Sequence, residues 1–168
     1  GWFLPDTYSF PSGFTDEAFL QRALAAMDRQ LREAWNRRAP DVTLTIPYQA
    51  LILASIVEKE TALPVERPEV AGVFARRLRR GIALQTDPTV IYGLGEAFDG
   101  NLHRADLTRD NPYNTYTRKG LPPTPIALPS AGALAAAVHP ASGDALYFVA
   151  TGQGGHIFSR TLDEHNQA

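Results

Sequence analysis

Two glutamates, Glu58 and Glu60, close the apolar stretch LILASIV within the segment ASIVEKET. A carboxyl at the end of an apolar helix is a candidate proton donor, so the first question is whether the two act as a pair. Each residue of a helix advances by about 100°, so side chains two apart point about 160° from one another and cannot share a site. On the helical wheel Ile52, Leu53, Ile56, Val57 and Leu63 form the bulky arc and Glu60 falls inside it, whereas Glu58 falls with Leu51, Ala54, Ser55 and Ala62. A carboxyl on the apolar face of a last helical turn is pushed toward its neutral form by desolvation and by the partial negative charge of the helix end. An enzyme that donates a proton near neutral pH needs such a group. The competing reading makes Glu60 the partner of Arg67, Arg76 or Arg77 in a structural ion pair, which also perturbs pKa values, and the wheel leaves both readings open. Glu58 reads as a solvated or salt-bridged residue and Lys59 as part of the same polar edge.

The stretch from Ile82 to Leu128 holds the other residues suited to chemistry. Gln85, Thr86, Asp87 and Asn114 carry short polar hydrogen-bonding groups, and Tyr92, Tyr113 and Tyr116 carry flat faces on which pyranose rings stack. The bland alternative is turn chemistry, since Thr-Asp-Pro and Asn-Pro-Tyr-Asn also make good turns and tyrosines fill cores.

The elements that must position these residues are predicted from periodicity and caps. Thr15 caps a helix that opens with Asp16 and Glu17 and repeats Phe19, Leu20, Leu24, Met27, Leu31 and Trp35 at three- and four-residue steps. A polar connector over Asn36 to Asp41 leads to a second helix from near Pro47 to about Ala62, punctuated by Pro64 and Pro68. A third runs from about Glu66 to Arg80 and stops at Gly81. Ile82 to Leu128 shows no clean period and reads as a long irregular, functional stretch. Ser130 to His139 reads as a short Ala-rich helix, and ALYFVAT and HIFS as a hairpin around Gly152 to Gly155. The order α-α-α, irregular, α, β-β predicts one α+β domain over residues 1–168.

Composition narrows the classes further. A chain of 168 residues is long enough to bury a core without disulfides or metals. It has no cysteine, which removes thiol nucleophiles and thiolate metal sites. The net charge is −2, with basic residues clustered only at Arg76 to Arg80 and Arg37 to Arg38, too little for a nucleic-acid footprint. No apolar run reaches the roughly 18 residues of a membrane span. The opening GWFLPDTYSF, with Trp2, Phe3 and Leu4 at the very start, is expected of a piece cut from a longer protein.

Taken together, ASIVEKET, VAGVFARRL, LQTDPTVIYG, YNTY, GLPPTPIA, LYFVA and FSRTLDEHN resemble, in order and spacing, the YceG-like family of bacterial endolytic murein transglycosylases. The resemblance implies cleavage inside peptidoglycan glycan strands, between N-acetylmuramic acid and N-acetylglucosamine, leaving a 1,6-anhydro end. It also implies a parent protein with an N-terminal membrane anchor and a LysM-like region, placement at the outer face of the inner membrane, and partners in the cell-wall synthesis machinery. No metal or organic cofactor is expected. The family's catalytic glutamate falls on Glu60, and Thr61, Gln85, Thr86, Asp87, Tyr113, Asn114, Thr115 and Tyr116 fall on site-lining positions. Asn166 fits the family pattern with an expected role in fastening the C-terminal end to the core. Thr124 stands where a glycine is common and Leu128 to Ser130 replaces a more usual Asn-Pro-Gly, so local loop shape is expected to differ there. Two other readings remain open: a hydrolytic muramidase in which Asp87 activates water, and a glycan-binding or scaffold module without catalysis.

Overall fold

The computed structural model describes residues 1–168. Its centre is a helix of unusual composition, α2 (Pro47–Glu60), in which Ala50 to Val57 are all buried. A segment apolar on every side is stable only when it is wrapped, and α2 is enclosed by α1 (Asp16–Asn36), α3 (Arg67–Arg79) and α6 (Ala131–Val138). The wheel therefore separates Glu58 from Glu60 by direction, not by inside and outside. The one polar side chain in this run is satisfied in place: Ser55 Oγ donates to the Ile52 carbonyl at 2.7 Å and accepts from the Ile126 N–H at 2.9 Å.

Helix ends follow the chain's own signals. Thr15 accepts from the Ala18 N–H at 3.2 Å and starts α1, and Ser130 accepts from the Ala133 N–H at 3.2 Å and starts α6. Helix α2 ends at Glu60 rather than at Ala62, because Thr61 is already extended at φ −140° and ψ 133°. Gly72, in the middle of α3, is required by a crossing: a Cβ there would lie 2.5 Å from the Ala141 carbonyl oxygen.

The stretch read as irregular is more structured than expected. It contains α4 (Asp87–Leu94), a 3₁₀ turn at Gly95–Ala97 and α5 (Arg104–Thr108). Only eight residues long and interrupted by Gly93, α4 offers too few turns for a period to emerge, although Thr86 before Asp87-Pro88 is a helix-start signature. Strands β1 (Tyr147–Ala150) and β2 (His156–Ser159) pair antiparallel from Tyr147 opposite Ser159 to Ala150 opposite His156, as the hairpin reading predicts. A further short helix, α7 (Leu162–Gln167), follows; Thr161 and Glu164 cap it reciprocally. The architecture is α+β, seven helices of which α2 is the buried central one, with a two-stranded sheet at one end. No helix is long and apolar enough to cross a membrane.

Candidate active site

Where α2 ends, its last residue meets a cleft of about 390 Å³ walled by the 84–87 segment on one side and by β1 and α7 on the other. Glu60 lines this cleft together with Gln85, Thr86, Asp87 and Tyr116. Its carboxyl has no arginine partner; Thr86 Oγ1 donates to Glu60 Oε1. The ion pair belongs to the other glutamate. Arg67 Nη2 lies 3.2 Å from Glu58 Oε1, and Ser130 donates to Glu58 Oε2 from its N–H at 2.9 Å and its hydroxyl at 2.6 Å. Ser130 stands at one of the positions that departs from the family pattern, and here it both caps α6 and anchors Glu58. Lys59 between the two glutamates is exposed.

Burial pushes the Glu60 carboxyl above its ordinary value, and the negative charge of Asp87 adds to the rise. The Thr86 hydroxyl and a positively charged His156 oppose it, because each favours the carboxylate. The result is a group biased to hold a proton, with a donor in place for the anion it becomes on releasing it.

Thr86 is held by hydrogen bonds that can be assigned a direction. Its N–H donates to Thr115 Oγ1 at 3.0 Å, and Thr89 Oγ1 lies 2.7 Å from the Thr86 carbonyl and 2.8 Å from Thr115 Oγ1. A carbonyl only accepts, so Thr89 gives its proton to Thr86 O and Thr115 gives its own to Thr89. These bonds fix the Thr86 backbone, and its hydroxyl, which takes no part in them, donates to Glu60. The Gln85 N–H bonds the Thr115 carbonyl at 3.1 Å, and Gln85 is held at φ 52°, a left-handed conformation rare outside glycine and asparagine.

Of the residues that sequence places at the site, Thr61, Tyr113, Asn114 and Thr115 stand behind the cleft. Asn114 is fully buried; its Nδ2 donates to the carbonyls of Asp106, Leu107 and Arg109, and its Oδ1 accepts from Tyr116 N at 2.9 Å. It fixes the loop that carries Tyr116. Thr115 orders Gln85 and Thr86 as described. Tyr113 bonds Thr124 Oγ1 at 2.8 Å and packs at 4.9 Å against Tyr92, which lies outside the cleft. Thr124, the other departure from the family pattern, thus has a partner in Tyr113. Thr61 donates to Glu66 Oε2 at 3.2 Å, and Glu66 in turn takes the His156 N–H at 2.9 Å and its Nδ1 at 2.8 Å. Those bonds from His156 hold Glu66 below the usual carboxylate range and tie the hairpin to the end of α2.

Tyr116 reaches the cleft and donates to Asp87 Oδ1 at 2.5 Å; burial and the Asp87 carboxylate both push its phenol upward. The opposite wall was not foreseen. It consists of Phe74, Tyr147, Phe148, Leu162 and His165, with His165 stacked on Tyr147 at 5.4 Å between ring centres. His165, not the exposed Asn166, fastens the C-terminal helix. The signal was present in LYFVA and DEHN, but nothing in sequence spacing says that the two lie opposite Glu60. No group of three or more His, Asp or Glu side chains converges as a metal site requires.

A cleft with aromatic walls, short polar side chains and a carboxyl that burial biases toward its protonated form, with no arginine or lysine paired to it, has the layout of a site for acid-catalysed cleavage of a carbohydrate. The chain belongs to the YceG-like family, which it matches over residues 1–168. It is 36% identical over 168 residues to an endolytic murein transglycosylase of Bacillus subtilis, covering all of this chain and 46% of that protein. It is 33% identical to the enzyme of the same name from Streptococcus pneumoniae, covering 99% of this chain and 31% of that one. Among solved structures, a YceG-like protein of Listeria monocytogenes superposes with a TM-score of 0.84 at 37% identity, over 99% of this chain and 54% of the other. The chain thus spans about half or less of the length of these relatives.

Proposed function

We propose that this domain cleaves peptidoglycan glycan strands internally as a lytic transglycosylase, breaking the β-1,4 bond between N-acetylmuramic acid and N-acetylglucosamine. The observation that carries the reading is Glu60, a carboxyl biased toward its protonated form at the cleft wall with a hydroxyl donor on it. Protonated Glu60 gives its proton to the glycosidic oxygen as the bond to C1 of the muramyl residue breaks, and the N-acetylglucosamine 4-hydroxyl departs. The muramyl 6-hydroxyl then bonds to C1, its proton returns to the Glu60 carboxylate, and a 1,6-anhydro ring results with no water consumed. One carboxyl serves as acid and then as base, in contrast to the two flanking carboxyls of ordinary glycoside hydrolases. Thr86 supports the intermediate carboxylate, and Gln85, Asp87 and Tyr116 are the proposed sugar contacts. Thr61, Tyr113, Asn114 and Thr115 are proposed to shape the site from behind.

The same reading places the protein in the bacterial cell envelope, with its relatives' wall substrate as its own and the wall-synthesis machinery as its surroundings. Mass spectrometry of purified peptidoglycan after incubation with wild type and with Glu60→Gln tests it. Anhydro-ended fragments from wild type alone are expected. Reducing-end fragments would instead favour hydrolysis with Asp87 as second carboxyl, and anhydro products at undiminished rate from the variant would refute the choice of Glu60.

A further inference from the structure

Arg77 is the one strongly basic side chain in the cleft wall, and it is 7% exposed. Its Nε donates to the Leu146 carbonyl at 2.7 Å, and Nη1 to the carbonyls of Ala83 and Leu84 at 3.1 and 2.9 Å and to Gln85 Oε1 at 3.4 Å. The guanidinium sits 5.0 Å from the Tyr147 ring centre. No carboxylate pairs with it, although the exposed Arg118 and the partly buried Arg67 both have one. Its Nη2 makes no hydrogen bond within the protein, nor does it belong to the fully occluded unpaired atoms. A desolvated cation held by neutral oxygens alone, with one edge of its fork left over, is incomplete as an ion pair. Its neighbours in the cleft are Gln85, Tyr116 and Tyr147, groups that would flank a sugar substituent.

We propose that Arg77 is a carboxylate-reading subsite, with Nη2 receiving an anionic substituent of the bound glycan while Nε and Nη1 hold the guanidinium in place. This rests on the murein reading above. In such strands every second sugar carries a lactyl group, which ends in a carboxylate when bare and in peptide carboxylates further out when a stem is attached. A glycan of N-acetylglucosamine alone offers neither, so Arg77 would separate murein from chitin-like chains.

The test uses the Glu60→Gln protein, so that the probes are not consumed, and four tetrasaccharides: murein with free lactyl carboxylates, its methyl ester, murein bearing a dipeptide on each lactyl group, and chitotetraose. Affinity is measured by titration and contact by the Arg77 Nε–H resonance. The expected result is that one carboxylate form binds at least about tenfold more tightly than the ester and chitotetraose, moves the Arg77 resonance and weakens with salt, as a charge-assisted bond should. The free acid leading identifies the lactyl carboxylate, and the dipeptide form leading identifies the peptide. Equal affinity for all four probes, no saturable binding of any, or an unmoved Arg77 resonance overturns the proposal without relying on an Arg77 variant that fails to fold. Glu60-dependent cleavage by the wild type would then still stand, which separates failure of this subsite from failure of the proposed function.

Discussion

The two glutamates of VEKET should respond to substitution in opposite ways. Glu58→Ala removes the acceptor for three donors, Arg67 Nη2 at 3.2 Å, Ser130 N at 2.9 Å and Ser130 Oγ at 2.6 Å. The side chains of Arg67 and Glu58 are only 15% and 23% exposed, so solvent replaces the lost bonds incompletely. A hydrogen bond to a charged group contributes about 1.5–3 kcal/mol, but three sharing one carboxylate do not add, and partial exposure discounts them. The expected loss is about 2–4 kcal/mol. For a chain of this size each kcal/mol moves Tm by about 2–4 °C, so a fall of roughly 4–16 °C follows.

Glu60→Gln should do the reverse. The folded-state pKa of Glu60 is raised above the ordinary 4.5. Between the two values the native state binds the proton that the unfolded state has released, so native stability falls as pH rises through that window and stays reduced above it. Glutamine at this position cannot ionise and escapes that loss. The variant is therefore expected to melt at or above wild type near neutral pH, with an advantage that shrinks toward acid, while its cleavage activity disappears. Calorimetric melts of wild type, Glu58→Ala and Glu60→Gln across the acid-to-neutral range decide it. A Glu60→Gln protein that melts several degrees below wild type at neutral pH, or a Glu58→Ala protein that melts with wild type, would refute the assignment of one glutamate to structure and the other to chemistry.

Thr86→Val removes the donor that favours the Glu60 carboxylate, so the carboxyl rises further and the alkaline limb of the pH–rate profile for murein cleavage should move to higher pH; an unmoved or lowered limb would exclude Thr86 from that role. Asn114→Ala abandons three carbonyls and the Tyr116 N–H inside a fully buried site, at a cost of about 3 kcal/mol or more, so thermal melting should fall by several degrees with loss of activity. Melting unchanged with activity lost would instead make Asn114 a direct sugar contact.

What sequence conveyed best was whatever repeats over several turns or is marked by a cap. Periodicity located α1 and Thr15 marked its start, but only Met27 and Leu31 of the predicted stripe are buried; Ala23 and Ala26 complete the inner face while Leu20 and Leu24 are exposed. Tertiary packing decided the rest. The wheel divided α2 into a bulky arc and a smaller one, yet Leu51, Ala54 and Ser55 on the second arc are as buried as Ile56 and Val57 on the first, because α6 covers the side that a two-layer fold would leave to solvent. Helix α4 escaped notice because eight residues hold barely two turns, and α7 because its signal lies in the Thr161–Glu164 capping box rather than in apolar periodicity. Asn114 and Thr115 carry the same polar groups whether they touch a ligand or a backbone. Only the fold reveals that their hydrogen bonds are spent inside the protein.

The cleft also explains why its polar residues are distributed so widely along the chain. Glu60 projects from the end of a helix buried on all sides, while its partner Thr86 and the strained Gln85 belong to a segment pinned by Thr115 from a third region. Phe74 apart, the facing wall arrives last in sequence, from Tyr147 to His165, and one polar relay fastens it to the Glu60 side: Thr61 to Glu66, and Glu66 to both the backbone and the ring of His156. Thr61 directly follows Glu60, and a charge on His156 favours the Glu60 carboxylate. The bonds that dock the hairpin therefore also fix the imidazole that acts on the carboxyl, so the facing wall and part of the electrostatics of Glu60 depend on the same contacts.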